Sequence, residues 1–117
     1  MDRFIQQAIK GEPITVYGDG NQTRSFTYVS DCIEAVYLLI KRGTIGEVYN
    51  VGNDMETRIL DLAKLVKAVA DSDSEIKFFS LPPDEPIRRS ADITKLRTLG
   101  FRHGIPLEKG IRSTIQK

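Results

Sequence analysis

A single cysteine, Cys32, occurs among the 117 residues, so no intrachain disulfide can form and a closed cysteine zinc site is excluded. Long apolar runs are missing as well. The longest, Ala35 to Ile40, falls far short of the about 20 residues that a membrane helix needs. Met1-Asp2-Arg3-Phe4 leads into a polar, helix-like stretch rather than the apolar core of a secretory leader, so a cytoplasmic chain is expected. A basic surplus is lacking too: Lys and Arg total 17 against 16 Asp and Glu, a formal net charge of +1. Chains that bind nucleic acid by neutralising phosphates carry such a surplus, so nucleic acid is not an expected partner. No internal repeat or low-complexity tract breaks the chain.

What remains is ordinary for a globular protein, with 40% hydrophobic and 28% charged residues. Residues 1–117 read as one small domain. A short helix over 3–10 is ended by Gly11 and the turn-forming Glu12-Pro13. Ile14 to Tyr17 is a β-branched and aromatic strand, broken by Gly18-Asp19-Gly20-Asn21. Arg24 to Val29 reads as a second strand, with Arg24, Phe26 and Tyr28 on one face. Asp31 with Glu34 forms a capping-box pattern ahead of a helix marked by Ile33, Val36, Tyr37 and Ile40 and stopped at Gly43. Val48 to Val51 reads as a strand closed by Gly52-Asn53. Ile59, Leu62, Ala63, Val66 and Ala70 make a helical stripe. A strand over 75–79 precedes an extended loop, because Pro82, Pro83 and Pro86 forbid a regular helix. Two short helices follow, one capped by Asp92 and ended near Gly100, the other starting at Pro106. The mixture of strands and helices predicts a mixed α/β or α+β class.

The chemistry-bearing candidates are few. Gly18 to Thr23 has the glycines of a phosphate loop, yet a strand rather than a helix is expected after it, which favours an ordinary turn. Arg24, at a strand start beside that turn, is placed to meet an anionic ligand or to form a surface salt bridge. Arg88 and Arg89, at the end of the proline-rich loop, carry the same two readings, since a guanidinium makes paired, permanently charged hydrogen bonds to phosphate. His103 has no nearby cysteine or second histidine, which argues against a metal role. Cys32 lies in a helical first turn, but acidic Asp31 and Glu34 oppose a reactive thiolate, so packing is its expected role.

The segment Gly11-Glu12-Pro13-Ile14-Thr15-Val16-Tyr17-Gly18-Asp19-Gly20-Asn21-Gln22-Thr23-Arg24-Ser25-Phe26-Thr27-Tyr28-Val29-Ser30-Asp31 resembles the start of the C-terminal substrate-binding region of extended short-chain dehydrogenase/reductases acting on nucleotide sugars. The likeness returns at Tyr49 to Asn53, through 59–70, at Pro86-Ile87-Arg88-Arg89-Ser90-Ala91-Asp92-Ile93, and at Leu99-Gly100-Phe101 and Pro106 to Ile111. Within that NAD-dependent epimerase/dehydratase group, the Gln22-Thr23-Arg24-Ser25-Phe26 and Arg88-to-Ile93 segments look most like UDP-glucuronate decarboxylases. The 4-epimerases and 4,6-dehydratases stand close behind.

The resemblance implies a nucleotide-sugar site, with UDP as the expected nucleotide. Tyr17 and the backbone of Val16 match the strand that contacts the nucleobase. Arg24 and Arg89 match two arginines that hold the diphosphate, and Asp92 matches a ribose contact or a helix cap. The family binds NAD through a glycine fingerprint and works through a Ser/Thr and Tyr-x-x-x-Lys set, both on an N-terminal Rossmann domain. That domain, with its glycine fingerprint and any Tyr-x-x-x-Lys spacing, is expected to be absent here, leaving a chain that binds no cofactor and catalyses nothing by itself. Met1 falls inside a helix of the family fold. Asp54 and Ala91 stand where prolines are common, and Arg58 where the segment is usually uncharged. Exposed apolar surface, a homo-oligomer or a separate NAD-binding chain would follow. An interaction or regulatory module, or one half of a split enzyme, are the alternative expectations.

Overall fold

The computed structural model describes residues 1–116, and Lys117 lies outside the described residues. Helix α1 (Asp2–Lys10) buries Phe4, Ile5 and Ala8 on one side, with Asp2 near its positive end and Lys10 near its negative end. Gly11 closes it at φ 70, and the N–H groups of Gly11 and Glu12 bond back to Ala8 and Gln7. Strand β1 (Ile14–Tyr17) then alternates, burying Ile14 and Val16 fully while Thr15 and Tyr17 face outward.

Strand β2 covers only Thr23–Ser25, shorter than the span to Val29 expected from sequence. Its neighbours end the ladder: β3 (Glu56–Arg58) pairs antiparallel along three residues, and β5 (Arg88–Arg89) pairs parallel along two. Beyond Ser25 the Phe26 carbonyl accepts from Asn53 Nδ2 at 2.9 Å instead of from a strand. Helix α2 (Val29–Arg42) consequently starts earlier than expected, with Tyr28 at the N-cap, and the Asp31 capping box is not formed. The Asp31 carboxylate is spent elsewhere. Buried in the first turn, it accepts the backbone N–H groups of Gly104 at 3.3 Å and Ile105 at 3.2 Å, pinning the loop ahead of α5.

Helix α3 (Ile59–Val69) is the centre of the larger core, where Leu62, Ala63 and Val66 meet Phe4, Ile5 and Ala8 of α1, Ile14 and Val16, and Ile111. Ile111 lies on α5 (Leu107–Ile115). Strand β4 (Ile76–Phe79) lies parallel to β1, with Ile14 opposite Ile76 and Val16 opposite Phe78. The two small sheets are thus β1-β4 and β3-β2-β5. A second, smaller core joins Ala35 of α2 to Ile93, Leu96 and Phe101 around α4 (Thr94–Thr98). The expected α/β class is correct, although β3 and β5 were not anticipated.

The expected helix over the 33–40 stripe forms, with that stripe turned outward, whereas one expected strand does not form. The stripe Ile33, Val36, Tyr37 and Ile40 that marks α2 in the sequence does not face this core; Ile40 is 78% exposed. The expected strand from Val48 to Val51 is extended but pairs with nothing, and Val48 is 78% exposed. No strand edge within the described residues lies alongside it. The whole molecule is a slab, 48 × 35 × 15 Å, with a radius of gyration of 16.2 Å. A compact domain of this length has a radius near ~13 Å. Its accessible surface is 7719 Å², whereas a compact monomer of that mass exposes roughly 6,400 Å².

Gly20 tests how tightly the turn sits on α3. At φ +78, a Cβ there would lie 2.7 Å from Leu60 Cβ and 3.1 Å from Val16 Cγ1. Gly11 shares the left-handed backbone at φ +70 but has nothing within 4 Å. Urea denaturation should give Gly20→Ala a loss of about 3 kcal/mol, from backbone strain plus overpacking, against about 1 kcal/mol for Gly11→Ala. Equal losses would mean that the turn yields freely.

Candidate functional site

The turn between β1 and β2 does not behave as a phosphate loop. The carbonyls of Gly20 and Gln22 accept the N–H groups of Leu60 and Ile59, each at 3.0 Å. Those are donors at the start of α3, the groups that an anion at a helix N-terminus would need. The glycines serve close approach between turn and helix, in line with the ordinary-turn reading. Asp19 closes the turn through Asn21, whose backbone and side-chain N–H groups both reach its carboxylate at 2.9 Å and hold it below the usual carboxylate range.

Beside this turn lies an open cleft of about 440 Å³, framed by α1, β1, β2 and the proline-rich segment after β4. Tyr17, Gln22, Arg24, Phe26 and Glu85 line it, together with Arg3. Gln22 is buried and donates Nε2 to the Tyr17 carbonyl at 2.8 Å, fixing the β1 end of the cleft. Tyr17 stands at the rim with Phe79 tilted against it, ring centroids 6.3 Å apart, and the Arg3 guanidinium 4.8 Å from its own centroid. Arg3 is a cleft residue that the sequence reading missed. Its only signal is helical phase, two positions past Met1 on the side of α1 that faces β1.

Arg24 forms part of the cleft wall, with its side chain only 12% exposed. Nη1 donates to the Thr23 carbonyl at 2.7 Å, and Nη2 is held against the Glu85 carboxylate. Register places Arg89 opposite Arg24 on the neighbouring strand β5, and registered neighbours project from the same sheet face. Arg89 is exposed and has no ion-pair partner among the described residues. Arg88, which alternation sends the other way, is fully engaged: its Nε reaches both Glu56 oxygens at 2.8 and 2.9 Å. Glu56 also accepts Thr23 Oγ1 at 2.7 Å. One carboxylate on β3 therefore ties β2 and β5 together and keeps the two arginines abreast.

The other expected site residues divide. The Val16 side chain is wholly buried, so it offers at most backbone, which lies in the ladder with β4. Asp92 lies apart, in a shallow depression with Asp54, Arg88 and Ser90. Its carboxylate accepts Thr94 Oγ1 at 2.6 Å and Thr94 N at 3.0 Å, which organises the start of α4 and lowers its pKa. That is the helix-capping reading, one residue ahead of the N-cap Ile93. Tyr17 and Arg24 line the cleft together; Arg89 is registered beside Arg24 on β5 without lining it, and Asp92 does not join them.

Elsewhere, Arg58 pairs with Asp61, and Asp54 takes the guanidinium of Arg97. Cys32 is half-buried and free. Neither ring nitrogen of His103 has a hydrogen-bond partner, with Asp31 4.0 Å away and Phe101 edge-on at 5.0 Å. Among the described residues no group of His, Cys, Asp or Glu is arranged to hold a metal, and no helix is long and apolar enough to cross a membrane. One feature corrects the sequence reading outright. A Tyr-x-x-x-Lys spacing does occur, at Tyr37 and Lys41. It lies on the exposed side of α2 and away from the cleft, with Lys41 Nζ stacked 4.5 Å from the Tyr37 ring centroid.

Acidification tests the Glu56 clamp. Hydrogen bonds from Arg88 and then Thr23 hold the Glu56 carboxyl below its ordinary value. Its contribution is therefore present at neutral pH and is lost as pH falls through that lowered value. A carboxyl-carbon NMR titration should place the Glu56 midpoint below that of a free glutamate, and Arg88→Ala should move it back up. An unmoved midpoint would remove Arg88 as its cause.

Residues 1–52 match the NAD dependent epimerase/dehydratase family. UDP-glucuronic acid decarboxylase 1 of Danio rerio is 43% identical over 117 residues, covering 99% of this chain and 28% of its own length. A UDP-N-acetyl-alpha-D-glucosaminuronate decarboxylase of Bacillus cytotoxicus is 36% identical, with 97% of this chain and 38% of its own covered. Among solved structures, UDP-glucuronic acid 4-epimerase from Bacillus cereus, in complex with UDP-glucuronic acid and NAD, superposes with a TM-score of 0.87 at 33% identity. That match spans 97% of this chain and 37% of the epimerase. UDP-glucose 4-epimerase from Thermotoga maritima, with UDP-glucose, gives 0.88 at 29% identity, covering 97% and 37%. This chain thus spans between a quarter and two-fifths of the length of these proteins.

Proposed function

We propose that this chain, a relative of part of the NAD-dependent UDP-sugar epimerases and decarboxylases, is their nucleotide-sugar-binding region. In this reading it binds the nucleotide diphosphate and does no chemistry alone. The observation that carries the reading is the registered pair Arg24 and Arg89 on adjacent strands, beside the Tyr17 cleft. Two arginines registered on adjacent strands can both reach one multiply charged anion, each through its own charge-assisted hydrogen bonds. A diphosphate fits, because each arginine takes oxygens of a different phosphoryl group. Tyr17, whose ring stands at the rim, offers an aromatic surface to a base, and Arg3 completes the positive border. The UDP-sugars of the solved relatives make a uridine diphosphate the nucleotide of choice.

NAD accompanies the ligand in the Bacillus cereus epimerase. The glycine turn that follows β1 gives its carbonyls to α3, so it does not fit a dinucleotide diphosphate. We assign NAD to a region homologous to the remainder of those enzymes, on the same or a separate polypeptide. The exposed side of α2, with Ile33, Val36, Tyr37 and Ile40, and the unpaired segment around Val48 provide the face for it. The excess surface of the slab, on the order of 1,300 Å², exceeds the roughly 800 Å² that one partner buries in a standard interface. A self-associating interaction module uses the same face, and oligomer size separates that reading.

Calorimetric titration with UDP tests the site: binding is expected for the wild-type chain and should disappear in Arg24→Ala and Arg89→Ala. Binding that survives both changes would place the nucleotide elsewhere. For the face, sedimentation should reveal self-association or dye-accessible apolar surface, diminished when Ile33 and Ile40 are both changed to Ser. A monomer without dye binding would count against any docking role for α2.

A further inference from the structure

Glu85 occupies the position on Arg24 that an anionic ligand would take. Among the described residues it is the only acidic side chain lining the Tyr17 cleft, and Arg24 is its only side-chain partner. It comes from the segment 80–87 between β4 and β5, 61 residues from Arg24 in sequence. Pro82, Pro83 and Pro86 stiffen that segment. A turn from the Glu85 N–H to the Pro82 carbonyl at 3.2 Å and the packing of Leu81 by Gly18 locate it. The carboxylate is nevertheless 38% exposed, whereas Arg24 is 12% exposed. The acid is thus the member of the pair that can leave. Glu85 is also not needed to hold β5 in place, because Glu56 and the Thr23 N–H bond to the Ile87 carbonyl at 2.9 Å do so.

We infer that Glu85 is a resident anion that occupies Arg24 in the empty site and is displaced by a phosphoryl group of the ligand. The inference rests on the diphosphate reading given above and adds the regulation of that site. Carboxylate and phosphate oxygens compete for the same guanidinium nitrogens, so observed affinity is the difference between two contacts. A partly exposed ion pair is weak enough to be exchanged. A monoanion gains little by replacing Glu85, while a diphosphate that also reaches Arg89 gains a second cation. The device therefore selects for ligands carrying at least two adjacent negative groups. It also makes the proline segment move outward on binding, since the carboxylate that anchored it is expelled.

The experiment is calorimetric titration of the wild-type chain, Glu85→Gln and Glu85→Ala with UDP and with inorganic phosphate, thermal melts confirming that each variant is folded. Both variants should bind UDP more tightly than wild type, by roughly tenfold, the size of one charge-assisted contact. Phosphate that takes Arg24 should bind more tightly by a similar factor, since the same carboxylate is displaced by either ligand. In the Arg24→Ala background, where UDP binding is already lost, the Glu85 changes should not restore it; recovery there would overturn Arg24 as the group that Glu85 occupies. Equal or weaker UDP binding by folded Glu85 variants overturns the displacement while leaving the diphosphate site standing. Absence of UDP binding in wild type and both variants overturns the two together.

Discussion

The start of α3 holds this molecule together. Its first N–H groups are satisfied by the carbonyls of the Gly20–Gln22 turn, and its buried face carries Leu62, Ala63 and Val66. That single junction joins the β1-β4 pair to the β3-β2-β5 sheet, because the turn leads out of β1 into β2 and α3 follows directly on β3. Burying three apolar side chains of this kind contributes several kcal/mol, and the satisfied helix donors remove a cost that an open helix end would carry. A bulkier residue than glycine at position 20 would hold turn and helix apart, and with them the two sheets.

From that junction the cleft follows as a matter of geometry. β1 ends at Tyr17 and β2 begins at Thr23, so both strands present their ends to the same hollow. Side-chain alternation then sorts the tandem arginines: Arg88 goes to Glu56 and is neutralised, while Arg89 stands abreast of Arg24. A two-residue strand has little stability of its own. The Glu56 carboxylate, touching Thr23 and Arg88 together, makes that short pairing definite. Charge in this chain is thus nearly balanced overall yet uneven locally, with cations gathered at one hollow.

Much of this was legible in the residues. β1, α1 and α3 follow from alternation or helical phase within a buried environment, where pattern and packing agree; β4 forms although Phe78 and Phe79 stay exposed. The turn reading of Gly18–Asn21 was correct for a stronger reason than the motif spacing, namely that its carbonyls are occupied. Pattern failed where the deciding partner is remote. Phe26 and Tyr28 alternate with Arg24 as a strand would, but no neighbour continues the ladder past Ser25. Asp31 and Glu34 spell a helix cap, yet Asp31 serves the backbone of Gly104 and Ile105. Val48 to Val51 has strand composition and no strand to join. The arginines themselves were visible, and family likeness singled out Arg24 and Arg89; Arg3 has helical phase as its one signal, and Glu56 and Glu85 carry no local signal, because their roles exist only through contacts across the fold.

The hollow is assembled from pieces far apart in the sequence. Arg24 and the carboxylate that holds it are 61 residues apart, and Glu56 and Arg88 are 32 apart. Closing such loops costs chain entropy before any contact rewards it, so during folding these pairings form after the local helices. The same logic runs in reverse in the native state. The last part to assemble is the first to open, and segment 80–87 should fluctuate at a free energy well below that of global unfolding. A protease or a hydrogen-exchange pulse would therefore find the hollow before it found the core, and an occupied hollow would be guarded by whatever fills it.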